Sequence, residues 1–379
     1  MVERETIEFI SMERIGPLDR HTPAGRADVW RPTPTPPGSK PGGAVLGSVI
    51  TRARAAAALA LSGRYAFGGR QAAQGLQAWA HHTGVRLTIV DATSDPARTA
   101  RCVGTLAPRH DLLFGPYASG PMRAVQRLLA GEPWIVWNHG AAAARPSRLR
   151  QVDVLAPAAR YWSGLPDVLI GRGVDLGRVA LLVAQTPFSR QVARGAVDAL
   201  ARHAARPLWV GEIDSRTAGS AADRARTLGA QAIVGCGRLE DDIALGNALR
   251  GVPVVVALVA CGVAAAERYL GNAIEGWIGP SQWPPDGARP PFPLPRDADY
   301  PAAQAAAAGM VAAAALEAAG TSAPDALWDA ARSLCMDTHL GPFAVDANGQ
   351  QIGTSPSLVT WSSGAAGWGR QTVWRPRGS

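Results

Sequence analysis

The pattern of apolar and polar positions changes along the chain. Residues 1–52 show little periodicity and carry the run Arg31-Pro32-Thr33-Pro34-Thr35-Pro36-Pro37-Gly38, so they are expected to be a disordered tail. From Ala53 the pattern is regular. Ala53–Leu61 reads as an alanine-rich strand, Gly69–His82 as a helix and Val85–Asp91 as an alternating strand. Asp95-Pro96 opens a helix that runs to Ala107, with proline in its first turn. Asp111–Phe114 is a short strand, Ser119–Ala130 a helix and Trp134–Trp137 a strand.

The same rhythm resumes after a break. Helices are expected at Ala158–Gly171, Phe188–His203, Thr217–Leu228 and Asp241–Leu249, with strands at Arg178–Val183, Leu208–Ile213, Ala232–Cys236 and Val252–Leu258. Strands alternating with helices of about 10 to 15 residues imply parallel sheets covered on both faces. Two such runs imply an α/β protein with two doubly wound lobes. The third region differs. Pro280–Arg296 is irregular, Tyr300–Ala319 and Ala323–Cys335 are helical, and short strands follow at Gly341–Val345, Leu358–Trp361 and Thr372–Trp374. Asn348-Gly349 marks a turn among them.

Composition narrows the function. The chain has 379 residues, 47% of them hydrophobic, which excludes a wholly disordered protein and suits two domains. No unbroken apolar, uncharged run reaches about 18 residues, so no membrane-spanning segment is expected. Lys40 is the sole lysine and lies in a Pro/Gly-rich stretch, which argues against a P-loop, a pyridoxal Schiff base and a kinase lysine. The net charge is +8, but the arginines are spread singly without aromatic-basic motifs. A solvated basic surface is therefore expected rather than a nucleic-acid partner. Cys102, Cys236, Cys261 and Cys335 lie far apart, show no metal spacing, and read as buried apolar thiols. No metal or cofactor is expected.

Catalytic patterns are lacking. Gly-x-Ser-x-Gly does not occur, and His81-His82 cannot face one metal. Gly171-Arg172-Gly173 precedes a strand instead of following one, and Gly235-Cys236-Gly237 has Glu240 where a dinucleotide fingerprint needs its third glycine. What remains is a set of loops at the carboxyl ends of strands, where open α/β sheets hold ligands. Gly115-Pro116-Tyr117-Ala118-Ser119-Gly120 joins a strand to a helix that Ser119 is placed to cap, and free N–H groups there suit a carboxylate or amide oxygen. The next strand runs into Trp137-Asn138-His139-Gly140-Ala141-Ala142.

Leu61-Ser62-Gly63-Arg64-Tyr65-Ala66, Asp91 to Asp95-Pro96, Phe114–Ser119 and Asn138–Ala142 occur in one order, followed by Glu275–Trp283 and Gly341-Pro342-Phe343. That order resembles the leucine/isoleucine/valine-binding family of ABC-transporter solute-binding proteins, the type I periplasmic binding proteins, over residues 53–376. The resemblance implies two lobes joined by a three-crossing hinge that closes on a ligand. Crossings would lie near Ala156-Pro157, Trp277–Pro280 and His339–Pro342. One lobe would comprise 53–156 plus 280–338, the other 157–279 plus 339–379.

Carried over residue by residue, the resemblance implies a binding site formed by Phe67, Tyr117, Ala118, Ser119, Asn138, His139, Gly140, Ala142, Phe188 and Arg238. Ser119 matches the family's serine for a ligand carboxylate, and Phe188 the aromatic that closes from the second lobe. The sequence also departs from the family. Ala142 replaces a hydroxyl residue, Ala257–Gly262 contains no acid for an α-ammonium, and Ser94 stands where some relatives have a disulfide cysteine. Glu240, Asp241 and Asp242 are the nearest acidic substitutes, though they read as a helix start. The implied function is non-catalytic capture of a small polar metabolite (amino acid, amide or small carboxylate) for delivery to an ABC permease, in the periplasm or at the cell surface. No signal peptide is recognisable, so a cytoplasmic amide or amino-acid sensor on the same fold is the alternative. An α/β enzyme is the third reading.

Overall fold

The computed structural model describes residues 49–143, 148–364 and 367–376, so the expected disorder of residues 1–48 lies outside the described residues. Val49–Arg52, assigned to the tail, instead forms a turn. Ile50–Arg52 is a 3-10 helix and Ile50 is buried in the core.

The first lobe begins β1 (Arg54–Leu59), α1 (Ala66–Thr83), β2 (Arg86–Asp91), α2 (Pro96–Leu106), β3 (Leu112–Phe114), α3 (Ser119–Leu128), β4 (Ile135–Asn138) and β5 (Arg150–Asp153). The sheet order is β2-β1-β3-β4-β5 and every pairing is parallel. Both faces of β1 are buried. Ala55, Ala57 and Leu59 join one cluster, while Ala56 and Ala58 face the other side. Alanine is thus tolerated here because burial, not β propensity, sets the strand.

The second lobe contains α4 (Leu165–Gly171), β6 (Val179–Ala184), α5 (Pro187–Ala201), β7 (Trp209–Ile213), α6 (Ala218–Thr227), β8 (Ala232–Cys236), α7 (Leu239–Ala248), β9 (Val255–Leu258), α8 (Ala266–Leu270) and β10 (Ile278–Ser281). Its parallel strands run β7-β6-β8-β9-β10, which repeats the 2-1-3-4-5 order of the first lobe. The chain then returns to the first lobe. α9 (Tyr300–Ala319) packs in the core that contains β1 and α1, and α10 (Pro324–Ser333) covers it. By length and composition α9 is apolar enough to span a membrane, but most of it is buried in this core. β11 (Met336–Thr338) and β12 (Gly341–Phe343) form a small hairpin. β13 (Ser357–Gly364) and β14 (Gly367–Trp374) extend the second sheet antiparallel to β10.

Four sequence readings need correction. β5 was not expected, because Arg150, Gln151 and Asp153 do not look like a strand. The expected helix 158–171 is split into a 3-10 turn (Ala158–Arg160) and α4, whose N-cap is Gly164 and whose first turn holds Pro166. β10 runs through residues assigned to a crossing and to an irregular stretch. The third crossing comes later than His339–Pro342. Phe343 and Val345 belong to the first lobe's core, and Gln351 Nε2 donates to Val154 O (3.3 Å), so the chain leaves this lobe only before Ser357.

The crossings are stitched together. Ala156 N donates to Gln282 Oε1 (2.8 Å), joining the first to the second. Arg160 Nη1 donates to Ile352 O and Thr354 O, both at 2.9 Å, holding the third. The cysteines also differ from expectation. Cys236 and Cys261 are buried, but Cys102 is half-buried and Cys335 exposed.

Candidate functional site

The loops after β1, β3 and β4 meet the second lobe. Ser94 Oγ accepts from Tyr65 N (2.9 Å) and donates to Ser62 O (3.1 Å), so hydrogen bonds fix the loop after β1. Phe67 lies in the first turn of α1 and is 38% exposed.

Tyr117 packs so closely on α1 that a Cβ at Gly68 would lie 2.3 Å from its ring, which requires glycine there. Burial pushes the Tyr117 hydroxyl up to about 12, and Tyr300 interacts with it. Ala118 has φ +80° and ψ 143°, and its N–H donates to Gly140 O (3.0 Å). It is Ala118, not Ser119, that occupies the N-cap of α3. Ser119 is the first helical residue, and its Oγ accepts from Ala143 N (3.2 Å). The loops after β3 and β4 are therefore bonded to each other.

Asn138 is fully committed within the lobe. Its Nδ2 donates to Asp153 Oδ1 (2.6 Å) and Ala141 O (3.2 Å), while its Oδ1 accepts from Gly140 N (3.3 Å) and Ala141 N (3.0 Å). Burial raises the Asp153 carboxyl from 3.8 to about 7, against the opposing bonds from Asn138 and Gln151. His139 is buried, which lowers its imidazole to about 4. Ala142 O accepts from Ala158 N (3.0 Å), so this loop touches the start of the second lobe.

From the second lobe, Phe188 sits in the first turn of α5 and meets Tyr161 edge-on at 5.5 Å and 79°. Tyr161 OH accepts from Gln282 Nε2 (2.9 Å). Arg238 is the N-cap of α7 and makes a bidentate pair with Asp241 (2.6 and 2.9 Å) plus a contact to Glu240 (3.3 Å). Glu240 in turn pairs with Arg64 of the first lobe. Asp242 is buried, its carboxyl raised to about 7 by burial, and it accepts from Ala260 N (2.9 Å). Asp241 is thus held by Arg238, whereas Asp242 is wholly buried with its Oδ1 lacking a hydrogen-bond partner among the described residues.

The structure brings Tyr117, Ala118, Ser119, Gly140 and Ala142 together, and places Phe188 across from them through Tyr161. It places Arg238 beside the loop after β1, where it interacts with Tyr65, and Asn138 beneath the loops rather than in the gap. Sequence reading missed Tyr161, Gln282, Asp299 and Tyr300. Asp299, 2% exposed, caps α9, accepts from Ala264 N and pairs with Arg370 at 3.0 Å. Tyr161 and Gln282 each follow within a few residues of an expected crossing, which was the available signal. No group of three or more potential metal ligands occurs among the described residues.

A family model described as periplasmic binding protein matches residues 53–366. Among solved structures, a solute-binding protein from R. palustris in complex with 4-hydroxybenzoate is 15% identical, with TM-score 0.75 over 86% of this chain and 97% of that one. A leucine-binding protein from Thermotoga maritima MSB8 is 15% identical, with TM-score 0.73 over 86% and 99%. A solute-binding protein from Rhodopseudomonas palustris HaA2 in complex with p-hydroxybenzoic acid is 16% identical, with TM-score 0.74 over 86% and 97%. No curated protein matches. With two doubly wound lobes, three stitched crossings and a match over most of its length, the chain belongs to the periplasmic binding protein family.

Proposed function

We propose that the chain is a non-catalytic solute-binding protein of an ABC transporter, acting in the periplasm or at the cell surface. It captures a small carboxylate between its lobes by hinge closure and delivers it to a permease. Of the amino acid, amide and carboxylate classes, a carboxylate with an aromatic or similarly flat apolar body is the best fit. The observation that carries this reading is the pairing of the strained Ala118-Ser119 start of α3 with a wall of Tyr117, Tyr161 and Phe188. The helix start suits a carboxylate, and the rings suit a flat apolar body. Asp241 and Asp299 are paired with arginines and Asp242 is wholly buried, which argues against an amino acid, whose ammonium needs an accessible acid. The solved structures with benzoates bound are consistent with this choice.

Thermal unfolding of the protein against benzoate, 4-hydroxybenzoate, leucine and small amides tests it. A ligand at about 100 times its Kd adds about 2.7 kcal/mol of stability. The benzoates should raise Tm, and Phe188→Ala should abolish the shift. A shift by leucine or an amide but by neither benzoate would overturn the carboxylate assignment, and silence across the panel would sink the solute reading.

A further inference from the structure

A second polar feature flanks the cleft. α3 and α5 face each other across a cavity of about 460 Å³, lined by Arg123 and Gln126 of α3, by Ala143, and by Pro187, Arg190, Gln191 and Arg194 of α5. Arg190 and Arg194 lie one turn apart on the same helix face, an arrangement of like charges that is unfavourable by itself. Arg123 adds a third guanidinium from the opposite lobe. Elsewhere between the lobes, cations have partners, as Arg64 has Glu240, Arg238 has Asp241 and Arg370 has Asp299. Among the described residues none of the three cavity arginines has a carboxylate within ion-pair distance.

Closing the lobes concentrates these charges, so an anion in the cavity favours closure as well as binding. Three planar five-donor forks match a group that presents several charged oxygens, more than one carboxylate offers. Gln191 adds a neutral amide beside them, while Gln126 is bonded to Gln151. We propose that this cavity is a binding site for an oxyanion of the phosphate class, held by guanidiniums of both lobes and coupled to hinge closure. Ser119 and Phe188 themselves do not line it, but Pro187 beside Phe188 and Ala143, bonded to Ser119, do, so the site adjoins the solute position.

The test is calorimetric titration of the full chain with inorganic phosphate and, in a second arm, with glycerol phosphate. No solute is present, and ionic strength is held constant with sodium chloride. The radius of gyration is followed by small-angle scattering. At least one of the two should bind saturably at one per chain and contract the molecule. Binding of phosphate itself identifies the free ion as sufficient, and binding of the ester alone identifies a phosphoryl group on a larger molecule. Arg123→Gln and the double variant Arg190→Gln/Arg194→Gln should each weaken binding at least about tenfold, the loss expected for a charged donor. Their Tm in sodium chloride reports whether they fold. Heats that match the chloride control for both titrants in the wild-type protein would overturn the site, as would equal affinity in folded variants. Saturable binding without contraction would overturn its coupling to closure. Because no solute enters the experiment, its outcome is independent of the solute assignment.

Discussion

Ala118 holds φ +80° and ψ 143°, a conformation that side chains with a Cβ rarely adopt. Such backbone costs about 1–3 kcal/mol and persists where surrounding structure enforces it. Here the enforcing bonds are Ala118 N to Gly140 O and Ser119 Oγ to Ala143 N, which tie together the loops that frame the gap. Ala118→Gly should therefore raise stability by about 1 kcal/mol in chemical denaturation, since relief of strain exceeds the entropy glycine adds to the unfolded chain. An unchanged or lowered midpoint would mean that the loop is unstrained. Below the loop, Asp153 sets a pH dependence. Its carboxyl is raised from 3.8 to about 7, so between those values the folded state keeps a proton that the unfolded chain has lost. Its contribution to stability is thus fully present below about pH 4 and falls as pH rises to about 7. Buried His139, lowered from 6.5 to about 4, acts oppositely and gains stability for the fold over roughly the same window. The wild-type profile hides both. The Tm difference between Asp153→Asn and wild type should shift in the variant's favour as pH rises from 4 to 7, and a constant difference would refute the raised pKa. The neighbours of Ser119 were readable from the sequence, because a strand followed by a glycine-flanked turn announces itself. The Asn138–Asp153 bond was not, since it joins residues on adjacent strands, one of which carried no strand signal.

At the level of elements, periodicity served well where strands are apolar and helices amphipathic. It failed where polar side chains are buried in a satisfied network. β5 is the clearest case. Gln151 and Asp153 are buried, bonded to Gln126 and Asn138, and the strand exists because those partners replace water. β10 failed for another reason. Pro280 demotes a strand in any sequence reading, yet here the strand is short and borders the antiparallel hairpin. The alanine-rich α9 was legible as a helix, but its partner was not. The structure shows that α9 lies directly on α1, where a Cβ at Gly75 would come within 2.0 Å of Ala302 O. Gly75→Ala gains about 1 kcal/mol of helix propensity, but the added methyl meets backbone, which cannot swing away as a side chain can. The clash should win, with net destabilisation of about 2 kcal/mol by urea denaturation. A stabilised variant would show that the two helices are free to separate.

Across the whole molecule, two of the ion pairs that join the lobes differ in burial, and that difference predicts different roles. Arg64 and Glu240 are about half exposed, with side-chain exposures of 49% and 48%. A pair so placed is screened by water and salt and is worth at most about 1 kcal/mol. It has little leverage over folding, but it joins residues of the two lobes, so under the proposed hinge closure its energy favours the closed form. Asp299 and Arg370 are the opposite case, at 2% and 12% exposure, with Asp299 also accepting from Ala264 N and capping α9. Removing one partner of a buried pair leaves the other charge uncompensated, at a cost of about 3–5 kcal/mol. Asp299→Ala should therefore lower the unfolding midpoint strongly. Glu240→Gln should leave that midpoint nearly unchanged while weakening solute affinity less than about fivefold, an effect that fades at high salt. Denaturation and salt-dependent binding measured on both variants decide the matter. If Glu240→Gln unfolds the protein as readily as Asp299→Ala, the exposed pair is part of the scaffold and closure is not what it controls. If Asp299→Ala leaves stability intact, the lobes are held by the crossings alone, and the buried pair is a consequence of their docking rather than its cause.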